Sequence, residues 1–97
     1  MPLIELVAPA SCGLDLHALA AEICVLTTRA MGGDPDNPAA QRITRCEIQW
    51  RDVFSGAGPC PLHLRLRFTL PEGCLSRPRR ARLAQQATEA ALAAGAG

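Results

Sequence analysis

The most regular alternation of apolar and polar residues is the stretch "LHLRLRF", in which every second residue is apolar. A period of two is typical of a strand with one buried face, so the pattern predicts a strand over residues 62–68. The stretch "RCEIQWRDVF" alternates in the same way and predicts a second strand from Arg45 to Phe54. Near the start, "PLIELVAP" is apolar almost throughout, with Glu5 as its one charge. That density predicts a buried strand ended by Pro9.

Two other stretches have the three- and four-residue spacing of a helix that buries one face. The first covers residues 16–26, with Asp15 or Ser11 as its cap and "MGG" as its end. After it, "GGDPDNPAA" holds several turn-forming residues and predicts an irregular connection. The second helix follows Ser76, has Pro78 in its first turn and is rich in alanine as far as "AGAG".

The predicted order β-α-β-β-α falls into two similar halves, each beginning with a Pro-Leu strand and containing a helix. Residues 2–56 would form one β-α-β unit, and residues 61–97 a second unit whose last strand is missing. Right-handed crossovers place both helices on the same side of the sheet. We therefore expect a single α+β domain over residues 1–97, a duplicated β-α-β fold. It would have a mixed four-stranded sheet with two helices on one face, or one strand fewer.

A sheet with helices on one face leaves its other face uncovered, and Leu3 and Val7 would lie there. Subunits that pack against one another in a closed ring would cover that face. A core built from 97 residues of which 3% are aromatic is also thin, and this too favours oligomerisation.

Charge and cysteine spacing narrow the classes of function. The formal net charge is only +1, and "RPRRAR" is the one cationic cluster, so we expect no nucleic-acid partner. No apolar run approaches the roughly 18 residues of a membrane span, so we expect no membrane association.

The five cysteines have no C-x-x-C spacing and no histidine at ligand spacing, and no Gly-rich phosphate loop is present. We expect no metal, no cofactor and a cytoplasmic protein with reduced thiols.

The main candidate for chemistry is Pro2. Loss of Met1 is usual before a small residue or proline, and it would leave a secondary amine at the chain terminus. A terminal amine has a pKa of about 7.7–8.0, and an apolar pocket or a nearby cation lowers it, which suits a base working near neutral pH. If Met1 is retained, the nitrogen is an amide and Pro2 merely starts a strand.

Pro2 with the apolar run behind it, "RCEIQWRDVFSGAG" and "LHLRLRFTLPEG" together resemble the tautomerase superfamily, and within it the 5-carboxymethyl-2-hydroxymuconate Δ-isomerases. The resemblance covers nearly the whole chain at low identity. It implies a tautomerase-like fold assembled as a homotrimer, and proton transfer on a small unsaturated keto or dicarboxylic acid. Pro2 would be the catalytic base, and Arg45 would bind a substrate carboxylate. Trp50 and Phe54 would lie near the base and contact the substrate.

The chain also departs from that family. Cys74 stands where the family has a second active-site arginine, and Arg77 is the nearest replacement. Glu5 is displaced by one position from the family's acidic residue, which moves it to the other face of the strand. An alternative interpretation is therefore a catalytically inactive structural or partner-binding member of the same fold. A third is a hydratase or dehalogenase, which would need a carboxylate near Pro2.

Overall fold

The structure is a computed structural model that describes residues 2–96. It contains an α+β fold with one mixed sheet of three strands and a separate two-stranded sheet. The elements in chain order are β1 (Leu3–Ala8), α1 (Leu16–Ala30), α2 (Pro38–Ile43), β2 (Arg45–Trp50), β3 (Phe54–Ser55), β4 (Gly58–Pro59), β5 (Arg65–Thr69) and α3 (Arg77–Ala93).

The main sheet has β1 at its centre, with β2 parallel on one side and β5 antiparallel on the other. Leu6 lies opposite Ile48 and Leu66, which fixes the register of both pairs. The nearly continuous apolar character of β1 suits this central position, because a central strand is paired on both edges and packed against the helices.

The expected α+β class and mixed sheet are confirmed, but the main sheet has three strands instead of four within residues 2–96. Helix α3 continues to Ala93, so the described chain after it is too short for a fourth strand. The expected four-stranded sheet is therefore not found within the described residues. The duplicated tautomerase-like arrangement stays a prediction.

Helix α1 follows its predicted pattern. Of the two candidate caps the structure selects Asp15, whose side chain accepts a hydrogen bond of 3.0 Å from the backbone N–H of Ala18. The helix ends at Ala30 with Met31 as its cap, and Gly32 has a φ of +81°, a conformation that glycine adopts at low cost. Its buried face includes Leu19 and Ile23, which pack against the sheet.

Three predicted boundaries were wrong. The strand predicted over residues 62–68 begins only at Arg65 and continues to Thr69. The connection "GGDPDNPAA" was expected to be irregular, but it contains the start of α2, because the Asn37 side chain caps the backbone N–H of Ala39 and Pro38 suits the first turn. The second strand was expected to reach Phe54, but β2 ends at Trp50 and Phe54 belongs to the separate β3–β4 hairpin.

Helix α3 begins as predicted, with the Ser76 hydroxyl accepting a hydrogen bond of 3.4 Å from the backbone N–H of Arg79. It packs against α1, and its Ala90 and Ala91 belong to the same core cluster as Ile4 and Leu6 of β1. Both long helices therefore cover the same face of the sheet, as expected.

The opposite face is more polar and better covered than expected. Glu5 lies between Glu47 of β2 and Arg67 of β5, so one row across the sheet is fully charged. Leu3 is half-buried, but Val7 is only 6% exposed, since it lies in a small cleft with Val53 and other residues after β2. The expectation that Val7 is uncovered is therefore wrong.

Two leucine substitutions test how the core is placed. Leu19 is 2% exposed and Leu92 is 56% exposed, although both lie on long helices. We expect Leu19→Ala to lower the free energy of unfolding by about 2–5 kcal/mol because it leaves a cavity between α1 and the sheet. The matched Leu92→Ala should change it by less than about 1 kcal/mol. Urea denaturation measures both, and equal losses would contradict the described packing.

Candidate functional site

Three chain segments meet at one end of the main sheet. Pro2 is buried directly before β1, and its carbonyl accepts a hydrogen bond of 3.3 Å from the backbone N–H of Arg45, the first residue of β2. Leu3 lies opposite Thr69 of the antiparallel β5, so Pro2 is level with Leu70, the residue after that strand. The sheet register thus brings the sequence-predicted base and the sequence-predicted arginine to the same end.

A cavity of about 290 Å³ lies at this end, between the last residues of β5 and the first turns of α3. Its wall is apolar at Phe68, Leu70 and Leu83 and polar at Arg80 and Glu72. This volume and this mixture of apolar wall with few polar groups are those of a site for a small organic molecule.

Arg45 is exposed, and its side chain is held toward α2, where Nε donates a hydrogen bond of 3.4 Å to the carbonyl of Arg42. The hydrogen bond to Arg42 uses Nε and leaves the two terminal nitrogens of Arg45 unused by it. Two guanidinium nitrogens can bind a carboxylate in the bidentate geometry. Arg45 therefore shares the end of the sheet with Pro2 but is not part of the cavity wall.

Arg77 is the first residue of α3 and is exposed, and it does not line the cavity. Arg80 does, one helical turn further along. Sequence reasoning missed Arg80, although a signal existed: Leu83 is an apolar residue three positions further along the same helix, and residues three apart on a helix lie on the same side.

Trp50 and Phe54 are not brought together with Pro2 within one chain. Ala8 at the end of β1 lies opposite Trp50, while Leu3 at its start lies opposite Arg45. A strand of this length separates the two ends by about 17 Å. Trp50 is 54% exposed and Phe54 is 70% exposed, so both present apolar surface at the far end of the molecule.

The cysteines are free thiols in different surroundings. Cys12 is buried in the core, and Cys74 lines the cavity beside Arg80. Burial raises the pKa of Cys24, while burial together with the neighbouring Cys24 and Glu47 raises the pKa of Cys46 to about 11. Both thiols are therefore protonated near neutral pH, which argues against a role as a catalytic nucleophile that must react rapidly.

Two kinds of site are not found in the part of the chain that the structure describes. Residues 2–96 contain no group of three or more His, Cys, Asp or Glu side chains placed to hold a metal ion. Over the same range, none of the helices combines the length and the apolar character needed to cross a bilayer.

The arrangement at the cavity end can bind a small anion with an apolar body. Pro2 lies at the same end of the sheet, level with Leu70, but it does not line the cavity. Comparison with protein-family models, with curated proteins and with solved structures gave no match for this chain.

Proposed function

We propose that the chain is a cofactor-independent isomerase or tautomerase that transfers a proton on a small unsaturated keto or dicarboxylic acid, such as 5-carboxymethyl-2-hydroxymuconate. One observation carries the proposal: Pro2, Arg45 and the cavity bounded by Leu70 lie at the same end of the sheet. The active form would be the chain from which Met1 has been removed, because only then is the Pro2 nitrogen an amine.

The surroundings of Pro2 suit a base. Pro2 is buried, and the half-buried Leu3 and Leu70 are its neighbours along and across the strands. Apolar burial disfavours the protonated ammonium, and so does a guanidinium at short range. An amine kept neutral can take a proton from carbon and return it elsewhere on the substrate, which is what migration of a double bond requires.

Arginine side chains would supply the other requirement, a positive charge for a carboxylate and for the negative charge that develops on a dienolate. Arg80 projects from the first turns of α3 into the cavity wall, so it is placed to bind the carboxylate. Arg45 lies at the start of β2, where its backbone pairs with Pro2, and its side chain would have to leave the Arg42 carbonyl to reach the substrate. Arg77 lies one helical turn before Arg80 and would act at longer range.

Trp50 and Phe54 fit this proposal only in an assembly. They lie at the far end of their own chain, so they would reach a cavity only if it belonged to a neighbouring subunit. In the proposed homotrimer each β3–β4 hairpin would extend toward the next subunit, with Phe54 covering its substrate. A head-to-tail arrangement of this kind closes into a ring.

A second candidate function is a catalytically inactive structural or partner-binding protein of the same fold. The specific observation in its favour is Cys74, which lines the cavity where the resembling family has its second arginine. Glu5 lies on the charged face of the sheet, away from the core face, so no carboxylate of β1 faces the cavity side. Trimer formation without proton-transfer activity would favour this candidate.

Substitution of Pro2 tests the base. We expect protein that lacks Met1, as shown by intact-mass measurement, to ketonise phenylenolpyruvate faster than buffer in an ultraviolet assay. Pro2→Ala should lower kcat by about 100-fold or more, since general-base catalysis contributes at least that much.

The matched control is Pro61→Ala, which changes an exposed proline outside the candidate site. It should leave kcat unchanged. Processed wild-type protein that shows no ketonisation above buffer, or a Pro2→Ala variant with full activity, would refute the isomerase assignment.

Arg80→Gln tests the carboxylate contact. Loss of a charged hydrogen bond costs about 1.5–3 kcal/mol, so we expect kcat/KM to fall by roughly 10- to 100-fold, mainly through a higher KM. Arg79→Gln is the control, because Arg79 is adjacent in sequence but lies in a different cleft beside Arg29. Equal effects of the two substitutions would show that only the general charge of α3 matters.

Subunit mixing tests the contribution of the neighbouring subunit. Phe54→Ala and Pro2→Ala should each be nearly inactive alone, while a mixture that is unfolded and refolded together should recover about a quarter of the wild-type activity, because one neighbour in a random ring supplies each missing group. Light scattering after size-exclusion chromatography gives the subunit number. A monomer, or a trimer without recovery, would contradict the shared site.

A further inference from the structure

Helix α1 and strand β2 are joined by a contact that fixes how they lie against each other. The Thr28 hydroxyl lies 3.0 Å from the Thr44 hydroxyl, and both residues are buried. Thr28 is near the end of α1, and Thr44 is the residue directly before β2. The contact therefore anchors one end of the seam between the two elements.

Two cysteines occupy the next positions along the same seam. Cys24 is four residues before Thr28 and lies on the same side of the helix, and its carbonyl accepts a hydrogen bond of 2.9 Å from the Thr28 hydroxyl. Cys46 is two residues after Thr44 and lies on the same face of the strand. Both cysteines pack against the same core cluster.

The spacing of these positions keeps the two cysteines level with each other. The parallel pairing of β1 and β2 requires α1 to run back along the sheet, opposite to β2. Four residues of helix rise about 6 Å, and two residues of strand rise about 6.6 Å. The distance along α1 from Thr28 to Cys24 is therefore nearly the same as the distance along the β2 strand from Thr44 to Cys46.

We propose that Cys24 and Cys46 form a dithiol site that closes to a disulfide when the protein meets a small-molecule disulfide such as oxidised glutathione. The site joins α1 to β2 and encloses α2 in the loop between them. The proposal is independent of the proposed function, since neither cysteine lines the cavity between β5 and α3.

The electrostatics agree with this geometry. Cys24 is one of the causes that raise the pKa of Cys46, so the two sulfurs are close enough for the charge of one to be felt by the other. The raised pKa values keep both thiols protonated near neutral pH. Closure should therefore be slow, as for a structural cross-link rather than a rapid redox sensor.

Cys24 is the sulfur through which the reaction would start. It lines a cleft of about 280 Å³ between α1 and α2, where the neighbouring Ala21 and Gln41 are exposed, whereas Cys46 does not line that cleft. The deprotonated Cys24 sulfur attacks one sulfur of oxidised glutathione and releases one glutathione thiolate. Cys46 then loses its proton, attacks the Cys24 sulfur and releases the second thiolate. The two protein thiols are oxidised, one glutathione disulfide is reduced to two thiols, and their protons pass to the released glutathione.

The test uses the full-length wild-type protein incubated with oxidised glutathione, followed by alkylation of the remaining thiols. Cleavage after arginine and after Glu22 separates Cys12 from Cys24 and yields residues 23–29 as one peptide. We expect this peptide to be disulfide-linked to the peptide that begins at Cys46. The melting temperature should rise by at least about 10 °C, because the bond closes a long loop of the unfolded chain.

Cys46→Ser should abolish the rise in melting temperature, while Cys60→Ser, which changes a half-buried cysteine elsewhere, should preserve it. The peptide map of the wild-type protein decides the matter even if Cys46→Ser fails to fold. A stable mixed disulfide with glutathione at Cys24, or cross-links distributed over other cysteine pairs, would overturn the proposal.

Discussion

The structure depends on the burial of one face of β1 while both of its edges are paired. Ile4 and Leu6 are completely buried beneath α1 and α3, and the backbone of β1 is bonded to β2 and to β5. A slip by one residue would move the apolar residues of the buried face to the charged face beside Glu47 and Arg67. Burial and pairing therefore specify the same register.

The same register gathers the candidate chemistry at one end of the molecule. A parallel neighbour places the start of β2 beside the start of β1, and an antiparallel neighbour places the end of β5 there as well. Pro2, Arg45 and the cavity near Leu70 are close in space for this reason. The opposite end carries exposed apolar residues on β2 and on the hairpin, and so two surfaces of different character lie about one strand length apart.

The seam between α1 and β2 is held differently from the rest of the core. Between the alanines and leucines of the helices the contacts are apolar, whereas this seam has a hydroxyl pair at Thr28 and Thr44 and a thiol pair at Cys24 and Cys46. The two hydroxyls are satisfied by each other, and that of Thr28 also bonds to the Cys24 carbonyl, which makes their burial tolerable. Small polarizable side chains let the helix approach the edge strand closely, and they leave reactive groups at a structural contact.

The sequence by itself determined the strands and helices whose period or cap is local. The alternation in "LHLRLRF", the spacing of leucines in α1 and the caps Asp15 and Ser76 all rest on interactions between residues a few positions apart. Pro2 and Arg45 were selected in another way, from residue type and from the resemblance to a family. Their function stays a prediction.

Only the tertiary structure decided the distances between these groups. The cavity, the presence of Arg80 in its wall, the separation of Trp50 from Pro2 and the burial of Val7 all depend on which strand ends meet. No local pattern encodes that meeting, because it results from pairing between segments more than thirty residues apart. The start of β2 was also decided there, beside the tertiary contact of Thr44 with Thr28. The start of α2 rests instead on a local cap at Asn37, which outweighed the turn-rich composition around it.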